Sequence, residues 1–149
     1  MTMLIEDILR HKGRRVISIA PHSELAAAIE LMAHEQVGAL VVLDDSDRVL
    51  GIVSERDIVL ATAKAGKLAL SLPVHGVMTR SSPHADPRDT VADAMRVMTT
   101  NRTRHLPVTH GGHVVGLVSI GDVVKSRLQE KIEENAVLQD MARARLAAA

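Results

Sequence analysis

The stretch "GIVSERD", Gly51 to Asp57, closes an apolar run with a polar turn, and "GLVSIGD", Gly116 to Asp122, repeats it. Working outward from this phrase, the chain aligns with itself. "APHSELAAAIELMAHEQVGALVVL", beginning at Ala20, meets "DPRDTVADAMRVMTTNRTRHLPVT", beginning at Asp86, at an offset of 66. Pro21 meets Pro87, Ala28 meets Ala94, Met32 meets Met98, Leu40 meets Leu106 and Val42 meets Val108. After the next turn the offset is 65, so that Gly51, Val53, Ser54 and Asp57 meet Gly116, Val118, Ser119 and Asp122. Ordered matches at nearly one offset mark an internal repeat, not a chance likeness between two amphipathic segments.

Each copy reads in the same way. In "SELAAAIELMAHE" the apolar Leu25, Ala28, Ile29 and Met32 recur at helical spacing, with Ser23 as expected N-cap. In the second copy Asp89 takes the cap, and Val91, Met95 and Met98 form the stripe. Then follow a strand ("GALVVL" or "HLPVT"), a tight turn ("DDSDR" or "HGG"), and a second strand ("VLGIVS" or "VVGLVS"). A helix begins at the Ser, and a short extended piece ("VISIA" or "SPHA") precedes each copy. The order is β-α-β-β-α, twice, an α+β fold. One copy is too small to bury its own helical face, which packing of two copies would remedy. The expected boundaries are 1–66 for the first repeat with an N-terminal helix, 67–76 for a linker, 77–130 for the second repeat and 131–149 for a helical extension. The C-terminal segment from Gly121 has no Pro and no further Gly, and reads as one helix of about 40 Å at ~1.5 Å per residue. Val124, Leu128, Ile132, Leu138 and Met141 give it an apolar stripe, either packed on a partner or frayed.

Composition excludes several functions. The chain has 149 residues with 18 basic and 18 acidic side chains, so no basic bulk attracts nucleic acid. Phe, Tyr and Trp are all absent, which removes stacking platforms for single strands. The absence of Cys removes disulfides, thiolate metal sites and cysteine nucleophiles, and suits a reducing cytoplasm. Glu6 and Asp7 stand where a signal peptide needs basic residues, and the apolar block Val37 to Leu43 is too short to span a bilayer. Neither a membrane nor a nucleic acid is an expected partner.

The repeated phrase has two chemical readings. A Ser with an acid three residues on forms a capping box at a helix start, with no ligand required. The same geometry suits a nucleotide: free N–H groups and the helix dipole attract phosphate, and the carboxylate one turn in can accept two ribose hydroxyls.

Both copies resemble the cystathionine-β-synthase (CBS) domain, and the chain resembles a stand-alone tandem pair, a Bateman module. The resemblance rests on "GIVSERDIV" and "GLVSIGDVV", on the helices "ELAAAIELM" and "TVADAMRVM", and on "RHLPV", and covers roughly residues 5 to 130. It implies two repeats related by a pseudo-two-fold axis, with an adenosine-containing ligand (AMP, ADP, ATP, S-adenosylmethionine or NAD(H)) in the cleft between them. It also implies dimers that form a flat disc of four copies. Carried over, the first site would use Ser18, Ser54, Arg56 and Asp57, borrowing Arg104 and His105 from the other copy. The second would use His84, Ser119 and Asp122, facing Gly38 and Ala39. Ile120 and Gly121 replace Glu55 and Arg56 there, so the sites are expected to be unequal, with phosphate favoured at the first.

No catalytic set is visible: Ser54 has no nucleophile-elbow partners, and no Walker loop is present. His110 and His113 flank "GG" without a third ligand at metal spacing. The expectation is a cytoplasmic, homodimeric, non-catalytic sensor of adenine nucleotides that regulates an unidentified protein. The alternatives are a redox sensor binding NAD(H), or a nucleotide-free interaction module.

Overall fold

A computed structural model describes residues 2–148. The elements are α1 (Ile5–Lys12), β1 (Ser18–Ile19), α2 (Leu25–Glu35), β2 (Ala39–Leu43), β3 (Val49–Ser54), α3 (Glu55–Ala65), β4 (Thr79–Arg80), α4 (Val91–Asn101), β5 (His105–His110), β6 (His113–Ser119) and α5 (Ile120–Ala148). Two short 3-10 segments, Gly66–Ser71 and Val74–Gly76, join α3 to β4. One sheet has the order β1-β2-β3-β4, with β1 parallel to β2 and the rest antiparallel; the other is the hairpin β5-β6.

The repeat governs burial. Leu25 and Val91, Ala28 and Ala94, Met32 and Met98, Leu40 and Leu106, Val42 and Val108, and Val53 and Val118 are matched buried pairs, one member in each of two cores. The backbone repeats as well. Helices α2 and α4 end on left-handed residues at equivalent positions, Gln36 (φ 56) and Arg102 (φ 52). As expected, α5 is one continuous helix, and Val124, Leu128, Ile132, Leu138 and Met141 on it are exposed.

Two expectations need correction. Ser23 and Asp89 are not the N-caps. Glu24 occupies that position on α2 without a side-chain bond, and Thr90 caps α4 by accepting from the Asp93 N–H. At α2 the first helical N–H, that of Leu25, donates to the Leu72 carbonyl, so backbone does the work of a cap. The Asp89 carboxylate instead accepts the Asp86 N–H and closes the preceding turn. Second, "SPHA" forms no strand; only Ala85 bridges, to Val108.

The segments before the repeats are exchanged in packing. Helix α1, assigned by chain order to the first repeat, puts Ile5, Ile8 and Leu9 into the second repeat's core. The connection assigned as a linker puts Ala69 and Val74 into the first repeat's core. The two segments bind alike. Val91 N–H donates to Met3 and Leu25 N–H to Leu72; Ile5 N–H donates to Asp89 and Val74 N–H to Ser23; Glu6 N–H donates to Pro87 and His75 N–H to Pro21. Glu130 of α5, 3% exposed, pins the N-terminal segment by accepting from Met3 N–H at 3.2 Å and Arg127 at 2.6 Å.

Candidate functional site

The glycine that opens each repeated phrase leaves room for the exchanged segment. A Cβ on Gly51 would lie 2.3 Å from the Thr79 carbonyl oxygen, and one on Gly116 would lie 2.5 Å from Leu9 Cδ2. Strand β4 and helix α1 therefore pass directly against β3 and β6 respectively, and each brings a polar side chain to the end of its strand.

At those strand ends the chain enters α3 and α5. Ser54 caps α3: its Oγ accepts the Asp57 N–H at 3.4 Å, and Asp57 Oδ2 accepts the Ser54 N–H at 2.9 Å. At α5 the corresponding bonds are Asp122 N–H to Ser119 Oγ at 3.2 Å and Ser119 N–H to Asp122 Oδ2 at 2.8 Å. The capping boxes that the sequence suggests are both formed. Asp57 Oδ2 also accepts the Ser54 hydroxyl at 3.0 Å; with roughly four lone-pair sites on a carboxylate, each carboxylate keeps some acceptor capacity.

The two carboxylates have different neighbours. Asp57 Oδ1 accepts a neutral hydroxyl, Thr79 Oγ1 at 2.9 Å. Asp122 Oδ2 accepts the Lys12 ammonium at 2.7 Å, and Lys12 Nζ also donates to the Leu117 carbonyl at 3.0 Å. Burial pushes the Asp122 carboxyl pKa up; the hydrogen bonds from Lys12 and Ser119 outweigh it, and the net position is below the ordinary value.

Gly38, the residue before β2, meets His105, the first residue of β5, between the repeats. A Cβ on Gly38 would lie 3.2 Å from Glu55 Oε1 and 3.7 Å from His105 Nε2. The half-buried His105 has its pKa lowered by burial; Glu55 and Asp122 oppose that shift, and Lys12 and Arg104 reinforce it. Gly38 accepts the Glu55 N–H and Arg104 accepts the Ile120 N–H, so each repeat's strand start is tied to its own helix start.

Arg56 and Arg104 are exposed and, among the described residues, neither has a carboxylate within ion-pair distance. Ser18 is exposed on β1, and His84 is exposed in the non-strand segment before Ala85. Ala39 is 1% exposed, so it offers a facing ligand backbone alone. A cavity of about 230 Å³ lies beside Asp57, lined also by Lys64, Leu72 and Gly76. A hollow of about 470 Å³ between α2 and α3 reaches Gly38 and Glu55. No group of three or more His, Cys, Asp or Glu among the described residues is placed to hold a metal ion, and none of the described helices is long and apolar enough to cross a membrane.

Sequence reading missed Lys12 and Thr79. Both lie on exchanged segments whose likeness is in backbone bonding and not in residue type. The only sequence signal for their approach is the pair of glycines, which marks a close contact without naming the partner.

The CBS domain family model matches residues 5–64 and 74–128. The CBS domain-containing protein CBSX3, mitochondrial, of Arabidopsis thaliana is 33% identical over 147 residues, covering 91% of this chain and 71% of that protein. The crystal structure of the CBS-domain containing protein ATU1752 from Agrobacterium tumefaciens is similar with a TM-score of 0.82 and 38% identity, over 85% of this chain and 95% of that one. The crystal structure of CBSX2 in complex with AMP is similar with a TM-score of 0.72 and 27% identity, over 87% and 98% of the two chains.

Proposed function

The chain belongs to the CBS-domain family and carries two copies of the repeat, and from that premise we propose that it is a regulatory module binding an adenine nucleotide of the AMP, ADP or ATP class between them. The observation that carries this reading is the first helix start: Asp57, whose partners are an N–H and two neutral hydroxyls, the N-terminal N–H groups of α3, and the exposed Arg56, with the exposed Arg104 next to His105, the residue that meets Gly38 and Glu55; among the described residues neither guanidinium has a carboxylate partner. A carboxylate accepts ribose hydroxyls, while the helix dipole and the guanidiniums attract phosphate. The AMP complex of a structural neighbour supports the same ligand class.

The module is non-catalytic in this reading, and its output is conformational. A nucleotide that binds one relative orientation of the repeats more tightly shifts the population toward it by that difference in affinity. The cytoplasm is its proposed location. A homodimer is its proposed form, because Val59 and Leu60 on α3 and Val124 and Leu128 on α5 are exposed apolar side chains; light scattering on the purified protein tests this.

A second reading, an interaction module that binds no nucleotide, is favoured by one observation: the capping boxes alone account for Ser54, Asp57, Ser119 and Asp122. One experiment separates the two. With no Trp, Tyr or Phe, absorbance near roughly 260 nm reports bound base with almost no protein background. The purified protein is scanned, denatured and its released small molecules weighed, then titrated with AMP, ATP and NADH. A released or titratable adenine nucleotide supports the sensor; tighter binding of NADH than AMP moves the ligand to the dinucleotide class. A flat spectrum with no binding leaves the interaction module.

A further inference from the structure

We propose that Lys12 is a built-in occupant of the second repeat's cleft, held on the carboxylate that would otherwise take a ribose, so that the chain accepts one nucleotide, at the first repeat. The proposal rests on the nucleotide reading above and adds what decides occupancy.

The argument starts at Gly116. Without a side chain there, Leu9 of α1 sits against β6, 1% exposed, within the second core. Helix α1 ends three residues later, where the N–H of Gly13 (φ 99) donates to the Leu9 carbonyl. That termination sets Lys12 over the end of β6. Its ammonium is fixed at two points, the Leu117 carbonyl at 3.0 Å and Asp122 Oδ2 at 2.7 Å. Its side chain is 37% exposed and that of Asp122 is 24% exposed, so the pair faces the solvent side of the helix start and not the core. An incoming ribose must displace a charge-assisted bond from a tethered donor before it gains its own.

The pseudo-symmetric position in the first repeat lacks that obstacle. Gly51 admits Thr79, whose hydroxyl donates to Asp57 Oδ1 at 2.9 Å. The Ser54 hydroxyl also donates to Asp57, to Oδ2 at 3.0 Å; both hydroxyls are neutral, can rotate away and leave the carboxylate its negative charge. Thr79 is itself exposed at the edge of the sheet. One repeat thus presents an anionic acceptor and the other an acceptor already neutralised by the chain.

The test is calorimetric titration of the full chain with AMP, together with Lys12→Met, which keeps an unbranched side chain out to the ε position and removes the ammonium, and Thr79→Lys, which gives the first repeat the occupant of the second. Circular dichroism melts confirm that each variant is folded. The expected stoichiometry is one AMP per chain for the wild type and two for Lys12→Met, since losing a charged hydrogen-bond competitor strengthens binding by about tenfold to a hundredfold. Thr79→Lys is expected to weaken the first site by a similar factor. Two comparable sites in the wild type, or one site in Lys12→Met as in the wild type, would overturn the role of Lys12 and leave the nucleotide reading standing. No AMP uptake by either protein removes that reading, and this proposal with it.

Discussion

Replacing Asp57 and Asp122 separately by Ala should give opposite orders of damage in stability and in nucleotide affinity. Each substitution deletes a capping box, Asp57 giving up its bond from the Ser54 N–H and Asp122 its bond from the Ser119 N–H. Loss of such a cap costs about 1–2 kcal/mol. Asp57→Ala also frees the Thr79 hydroxyl, which is exposed and can turn to water. Asp122→Ala leaves the Lys12 ammonium without its carboxylate; that pair is partly exposed, so screening limits the extra cost to less than about 1 kcal/mol. Asp122→Ala should therefore be equally or slightly more destabilising, with melting temperatures falling by roughly 2–8 °C in a chain of this size. Affinity runs the other way. Two ribose hydroxyls bonded to an ionised carboxylate are worth about 1.5–3 kcal/mol, so Asp57→Ala should raise the Kd for AMP about tenfold to a hundredfold or more. Asp122→Ala should cost much less, because its carboxylate is already committed to Lys12. Urea or thermal unfolding gives the first order and calorimetric titration the second. Equal losses of affinity, or an Asp57→Ala protein that loses stability and binds AMP unchanged, would refute the assignment of the ribose acceptor.

Gly51→Ala should destabilise more than Gly116→Ala: the new methyl meets the Thr79 backbone carbonyl in the first case and the tip of the Leu9 side chain in the second. Both fall within the overpacking range of about 1–3 kcal/mol, and urea midpoints that reverse the order would refute the close-approach account. Acid should remove stability in two pH ranges. The folded-state pKa of His105 is lowered from 6.5 and that of Asp122 from 3.8, so each contributes stability above those values that is lost as pH falls below them. His105→Gln should flatten the loss that begins near pH 6.5, where the charges of Glu55, Lys12, Asp122 and Arg104 act on the ring, and leave the lower range; thermal melts across pH read both.

Most of the fold was legible because burial follows the repeat. A residue such as Met32 or Leu40 announces its place through spacing, and its counterpart at 98 or 106 repeats the statement. The left-handed ends at Gln36 and Arg102 were not legible, since neither Gln nor Arg signals positive φ. The failed caps have a similar cause. Ser23 and Asp89 have the right chemistry at nearly the right place, but Leu72 meets the Leu25 N–H at α2, while at α4 Thr90 makes the side-chain cap and Met3 accepts the Val91 N–H; periodicity within one repeat carries no information about a segment some 50 to 90 residues away. For the site, Ser54, Asp57, Ser119 and Asp122 lie where the repeated phrase puts them, and the sequence could not say what fills them.

What fills them follows from the exchange of segments. Each repeat's sheet is crossed by the stretch that precedes the other repeat, so the side chain arriving at each carboxylate is not itself part of the repeated pattern. The aligned residues Ser54 and Ser119, Asp57 and Asp122, Gly51 and Gly116 hold the two helix starts in the same geometry. The exchanged residues Thr79 and Lys12 then give that geometry opposite electrostatic states, one carboxylate capped by a hydroxyl and the other by an ammonium. Symmetry in the frame with difference in the crossing segments allows one half of a duplicated fold to be specialised by a single residue, without disturbing the core that both halves need. The same layout puts the most informative substitutions outside the repeated phrase. Thr79→Lys and Lys12→Met alter no capping box and no buried contact, whereas any change within "GIVSERD" or "GLVSIGD" alters binding and folding together.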